Sequence, residues 1–169
     1  IRISCYPYAI FLQTVPIVAI APLVINWFGS GFRSIVIITF VISLFPIITS
    51  TTTGMLAVDP ELLDLFRLNR ASRWQIWLKL RLPNAVPHLI TGARTSSGLS
   101  VVGALVGEYF AGFGVNDYGL GFLIGRNTSQ MRTDELFAAV IASTLLGITI
   151  FGAVSIVGAF ILNRWYDTK

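Results

Sequence analysis

Residues 59–87 read DPELLDLFRLNRASRWQIWLKLRLPNAVP, a charged, amphipathic stretch set between long apolar segments. It carries Arg67, Arg70, Arg73, Lys79 and Arg81, five of the twelve Lys and Arg residues in the chain. Local signals give it two short helices. Asp59 caps free N–H groups, Pro60 suits the first helical position, and Glu61 places negative charge where the helix dipole favours it. Leu62, Leu63 and Phe66 then fall on one face, with Glu61, Asp64 and Arg67 elsewhere. A second start at Ser72 leads Arg73-Trp74-Gln75-Ile76-Trp77, and Pro83 is expected to end that helix. A turn over Asn69, Arg70 and Ala71 joins the two. Two readings stand on physics alone. The knob fills a groove on a partner through Phe66 and the tryptophans, or it rests on lipid headgroups with Trp74 and Trp77 as anchors.

What surrounds the insert decides the class of protein. The chain is 54% hydrophobic and only 12% charged, with a mean hydropathy of +0.76; a soluble domain carries roughly twice that charge. A span needs about 20 mainly apolar residues to cross a hydrocarbon core of roughly 30 Å. Four segments qualify, at about 9–28, 34–54, 88–113 and 137–162, and Phe137 to Leu162 holds no charged residue. The expected fold is all-α: one polytopic helical membrane domain over 1–169 with about four spans and a connecting loop at 55–87.

Charge counting orients it. Placing loop 55–87 and the tail residues Arg164 and Lys169 in the cytoplasm leaves only Arg33, Arg126 and Arg132 outside, as the positive-inside rule asks. The same rule accounts for the pI near 9.6 without nucleic acid. The start is a poor signal peptide, because Gln13, Pro7, Pro16 and Pro22 interrupt the apolar run and further spans follow. It also lacks an initiating Met, so upstream sequence is expected. Cys5 is the one cysteine, which leaves no internal disulfide and no cysteine-cluster metal site.

The spans differ in kind. Pro16 and Pro22 break the first and Pro46 the second, each removing a backbone hydrogen bond that neighbours must replace. The third is the most polar, with Arg94, Thr95, Ser96, Ser97, Ser100 and Glu108. Two stripes of small residues run along it, Gly92-Ser96-Ser100-Ala104 and Gly103-Gly107-Ala111, a spacing that lets helices approach closely. Arg94, Ser96, Ser97, Ser100 and Glu108 are the candidate lining of a polar pathway; plain packing is the competing reading. Arg94 and Glu108 lie about 21 Å apart along a helix and do not pair. Arg94 is expected to snorkel to the cytoplasmic interface, and Glu108 either lines an outer gate or reaches headgroups.

At the insert the chain resembles the permease subunits of bacterial ABC importers. Their loop pattern is E-A-A, three residues, G, nine residues, I-x-L-P. Here Asp64-Leu65-Phe66, Arg70 and Leu80-Arg81-Leu82-Pro83 occupy those positions at the same spacing. Phe66 and Arg70 depart from the pattern, standing where the family keeps small residues. PIVAIAPLVINWFGSG (16–31), GEYFAGFGVNDYGLGFLI (107–124) and DELFAAVIASTLLG (134–147) extend the likeness to the nitrate, sulfonate and taurine branch.

The resemblance implies an inner-membrane transport subunit, not an enzyme, holding no cofactor or metal of its own. Asp59, Pro60, Leu62, Leu63, Asp64, Leu65, Phe66, Arg70, Ala71, Ser72, Leu80, Leu82 and Pro83 would form its coupling loop to a cytoplasmic ATP-binding subunit. A second permease chain, taken as a homodimer, would complete the pathway. A periplasmic or lipid-anchored substrate-binding protein would dock on loops 29–33 and 114–136. The solute class it implies is a small anion such as nitrate or a sulfonate, or a thiamine precursor. The chain carries no G-x-x-x-x-G-K-[ST] phosphate loop.

Other motifs are weak. Asn127-Thr128-Ser129 fits a glycosylation site, His88 is a lone histidine read as structural, and Gly112, Gly114, Gly119 and Gly121 only superficially suggest a nucleotide loop. The serines of the third span lack a nearby base for nucleophilic chemistry. A membrane enzyme and a non-transporting scaffold are therefore the competing functional classes.

Overall fold

A computed structural model of the chain describes residues 17–111 and 119–166. Cys5, Gln13, Pro7, Pro16, Gly112, Gly114, Lys169 and the first part of the span expected at 9–28 lie outside the described residues.

The described residues form helices: α1 (Ile17–Phe28), α2 (Phe32–Leu56), α3 (Pro60–Leu68), α4 (Arg73–Ile76), a π-helical turn (Trp77–Arg81), α5 (Leu82–Ala111), α6 (Leu120–Ser129) and α7 (Thr133–Tyr166). Three helical stretches are long and apolar enough to cross a membrane: Phe32–Leu56, Arg73–Ala111 and Thr133–Arg164. Their exposed surface is largely Phe, Leu, Ile and Val, the composition that hydrocarbon accommodates and water does not.

The central pair is α2 against α5. Gly92 faces the Pro46 carbonyl and Ile47, Gly103 faces Thr39 and Ile42, and Gly107 faces Ile35, so the two helices run antiparallel. A Cβ at Gly92 would lie 2.8 Å from the Pro46 oxygen, closer than any side chain tolerates. Ser96 Oγ donates to the Ser43 carbonyl at 2.6 Å in the same seam. The close approach therefore takes Gly92 and Ser96 from one expected stripe and Gly103 and Gly107 from the other. Steps of four, seven and four residues keep them on one face, because seven residues are close to two helical turns. α1 packs on this pair through Ala21 and Val24 around Ile38.

Two expectations change here. Pro83 does not end a helix: α4, the π-turn and α5 form one uninterrupted 39-residue stretch from Arg73 to Ala111, about 58 Å long. A proline inside a helix lacks one donor and crowds the carbonyl four residues back. The π-turn lies directly before Pro83, where the Leu82 N–H donates five residues back, to the Trp77 carbonyl. The wider turn makes room for the ring and moves the hydrogen-bond register, so the helix continues. The third span is thus a membrane segment with the second loop helix built onto it.

The second change is α6, a ten-residue helix within the stretch expected to be a loop at 114–136. Its Gly121, Phe122, Gly125 and Asn127 are buried, and it packs against both α5 and α7.

Candidate functional site

The loop helices begin as their sequence dictates. Asp59 Oδ1 accepts from the Glu61 N–H at 2.9 Å with Pro60 in the first turn. Ser72 forms a reciprocal capping box with Gln75: Ser72 Oγ accepts from the Gln75 N–H at 3.3 Å, and Gln75 Oε1 accepts from the Ser72 N–H at 2.7 Å. The signal for the second half, Gln three residues after Ser, stands in the sequence.

Between them, Arg70 adopts φ 52°. The Ala71 N–H donates to the Phe66 carbonyl at 3.0 Å and the Arg70 N–H to the Arg67 carbonyl at 2.9 Å, the Schellman pattern that closes a helix C-terminus. This left-handed position is where glycine is favoured. The backbone therefore makes a left-handed turn of the kind glycine favours with an arginine in it.

α3 stands off the bundle. None of its residues is buried, and it makes no extensive contact with another helix. Leu63 and Phe66 are half-buried and turn toward the α4 side, while Leu62, Leu65 and Leu68 form the exposed apolar band, with Leu68 82% exposed. The face expected from Leu62, Leu63 and Phe66 is thus split. Leu68 was missed, although Leu62, Leu65 and Leu68 recur at steps of three, a helical-face signal. Leu65 and Phe66 border a groove with Asn69, Ala71, Gln75 and Lys79. Leu80 is buried and Leu82 partly exposed on the rod below.

The base of the loop is clamped by two residues. Asn84 Nδ2 donates to the Gly54 carbonyl at 2.9 Å, and the His88 ring sits where a Cβ on Gly54 would be. His88 is structural, as expected of a lone histidine. Asn84 carries no sequence signal, since its partner is thirty residues away.

The polar residues of the third span divide. Ser96 is buried and committed to the α2 seam, while Ser97 and Ser100 donate back to the Arg94 and Ser97 carbonyls of their own helix. Arg94 does not snorkel: its Nη2 donates across to the Ser155 carbonyl of α7 at 3.2 Å. Gly158 leaves the space for Ile90 and this guanidinium. Arg94 Nε, Ser155 Oγ and Thr51 Oγ1 are buried without a hydrogen-bond partner among the described residues.

Glu108 holds α6 in place. Its Oε2 accepts from the Gly121 N–H at 2.8 Å, satisfying a free donor in the first turn and setting a carboxylate at the positive end of the helix. A Cβ on Gly119 would collide with that carboxylate, and one on Gly121 with the Leu105 carbonyl. Of the glycines that only superficially suggest a nucleotide loop, Gly119 and Gly121 are what lets α6 close on α5. The Asn127 of the glycosylation pattern is buried within this helix.

Three membrane-length helices, close-packed through small residues and carrying an exposed helix pair at one end, define a polytopic helical membrane protein. The comparisons with known proteins agree. Residues 1–169 match the binding-protein-dependent transport system inner membrane component, and the chain belongs to that family. It is 34% identical over 151 residues to a formylaminopyrimidine transport permease protein, ThiX, of Halalkalibacterium halodurans, covering 89% of this chain and 59% of the relative. A riboflavin transport system permease protein, RibX, of Chloroflexus aurantiacus is 34% identical over 153 residues, covering 90% of this chain and 55% of the relative. A putative aliphatic sulfonates transport permease protein, SsuC, of Bacillus subtilis is 30% identical over 136 residues, covering 80% and 48%. The chain spans about half the length of these relatives. Its place as a multi-pass protein of the inner membrane follows from the family and the three long helices.

Proposed function

We propose that this chain supplies spans of the permease subunit of an ATP-driven importer for a small solute, coupled to a cytoplasmic ATP-binding subunit through residues 59–83. The observation that carries the reading is α3: a capped amphipathic helix without buried residues, held away from the bundle with Leu62, Leu65 and Leu68 outward. A soluble-facing apolar band of this kind needs a partner to cover it. The second loop helix is continuous with a membrane span, so a force on the knob acts directly on the pathway. The orientation by charge count puts this loop in the cytoplasm, where the ATPase is.

A second permease chain and a binding protein on the opposite face complete the assembly in this reading. The relatives are named for transport of formylaminopyrimidine, riboflavin and aliphatic sulfonates, which supports a small organic molecule or an anion as the solute class. Leu65→Asp in the full-length permease should reduce copurification of the ATP-binding subunit at least about tenfold, with thermal stability unchanged because Leu65 is exposed. Undiminished copurification would overturn docking through this face.

A further inference from the structure

The loop joins the bundle unequally at its two ends. On one side α4 runs through the π-turn into α5 without interruption. On the other, α2 stops at Leu56, and Ala57, Val58 and Asp59 are not helical before α3 begins at Pro60. A push on the knob therefore enters α5 through a rod, whereas its direct path to α2 is a short irregular link. Links of that kind absorb φ/ψ change instead of passing it on.

One side chain bridges the difference. The closing bond of α2 runs from the Ala57 N–H to the Thr53 carbonyl at 2.9 Å. The next carbonyl is that of Gly54, and Val58, whose N–H would bond it in a longer helix, lies outside α2. Gly54 thus carries one of the carbonyls that a helix end leaves without a backbone partner. Asn84 of α5 supplies the missing donor, Nδ2 to oxygen at 2.9 Å, at the end of α2 where the helix dipole favours a donor. Gly54 is buried, and the His88 ring, one turn further along α5, fills the place of its absent side chain. The other side-chain hydrogen bond between α2 and α5 among the described residues, Ser96 to Ser43, lies about 18 Å deeper along α5. It is too distant to hold the loop end of α2.

We propose that Asn84 is a positioning residue for coupling: by capping α2 from α5, it makes the two helices answer a movement of the knob as one body. The inference rests on the coupling role proposed for residues 59–83 and adds how the movement reaches a second span. Leucine at this position keeps the volume without a donor. Aspartate keeps the shape, but its carboxylate accepts only and meets the negative end of α2.

The experiment uses the full-length permease with its ATP-binding subunit in nanodiscs, native cysteines replaced. Nitroxide labels go on Thr53→Cys and Leu82→Cys, two exposed positions beside the joint, and labelled chains are diluted with unlabelled ones so that only pairs within a chain are read. Electron paramagnetic resonance gives the label separation with and without ATP and vanadate. With Asn84 present, the separation should be the same in both states. In Asn84→Leu and Asn84→Asp, ATP and vanadate should shift it by about 2 Å. Asn84→Gln, which keeps an amide donor, should restore the wild-type result. Gly54→Ala presses a Cβ onto the His88 ring and should lengthen the separation equally in both states, the signature of a merely static change. A separation that shifts with Asn84 present, or one in Asn84→Leu that is the same in both states, overturns the proposal. Circular dichroism checks that each variant is folded, and copurification of the ATP-binding subunit is scored on the same samples. Absent copurification with Asn84 present means that docking itself has failed, and this proposal with it. Intact copurification without the shift in Asn84→Leu removes the role of Asn84 alone.

Discussion

The turns at Arg70 and Met131 are closed by the same backbone bonds, yet one holds a helix out and the other holds a helix in. Met131 has φ 57°, and the Arg132 N–H reaches the Asn127 carbonyl at 3.0 Å just as the Ala71 N–H reaches Phe66. Both turns place a non-glycine residue in the left-handed position. The helices before them differ. α3 has no buried residue, whereas α6 buries Gly121, Phe122, Gly125 and Asn127 and has its first turn bound by Glu108. The local motif reverses the chain and says nothing about where the helix goes. Destination is set by what the face meets, which for α6 is α5 and α7, and for α3 is left for a partner.

The sharpest way to break this contrast is to unseat α6. Gly121→Leu forces a side chain into the Leu105 carbonyl, and overpacking of this kind should cost about 3 kcal/mol. Thermal unfolding in detergent checks it, and a melting temperature equal to wild type would mean that α6 is not seated on α5. Glu108→Ala removes the acceptor alone. Losing that charged hydrogen bond should cost about 2 kcal/mol, read as roughly thirtyfold faster amide exchange in the first turn of α6. Exchange in α3 should not change, and a parallel change there would end the distinction between the two helices. The smallest effect tests what the turns share. Arg70→Gly and Met131→Gly each relieve a left-handed residue and should each stabilise by about 1 kcal/mol, visible in the same melts. Unequal gains would show that tertiary packing, not the turn itself, holds one of the two residues in place.

How much of this was legible in the sequence depends on distance along the chain. The starts at Asp59-Pro60 and Ser72 rest on residues within one turn, and the long spans on composition alone, so both could be read directly. Pro83 misled because its rule is local: the proline does forbid an ordinary turn, and the π-turn before it resolves the conflict. α6 was invisible because ten residues of LGFLIGRNTS carry little periodicity, and its seat comes from Glu108, thirteen residues upstream. The Arg94 contact to Ser155 spans sixty-one residues, and nothing in either segment announces the other. The face of α3 was half read, because Leu63 and Phe66 turn toward α4 only once the Arg70 turn has folded the pair together.

The unbroken helix from Arg73 to Ala111 has a mechanical consequence. It is a strut with Glu108 near one end and the loop knob at the other, clamped to α2 at Asn84 and along the glycine seam. The free arm beyond Asn84 is about 16 Å long, so a pivot of about 5° at the clamp moves its tip by about 1.4 Å, a change too small to disturb side-chain packing at the pivot. A soft joint in it is the π-turn, where the hydrogen bonds are already out of regular register. Stiffening that joint would pass motion of the knob into the membrane undiminished, and loosening it would let the knob swivel while the span stayed still.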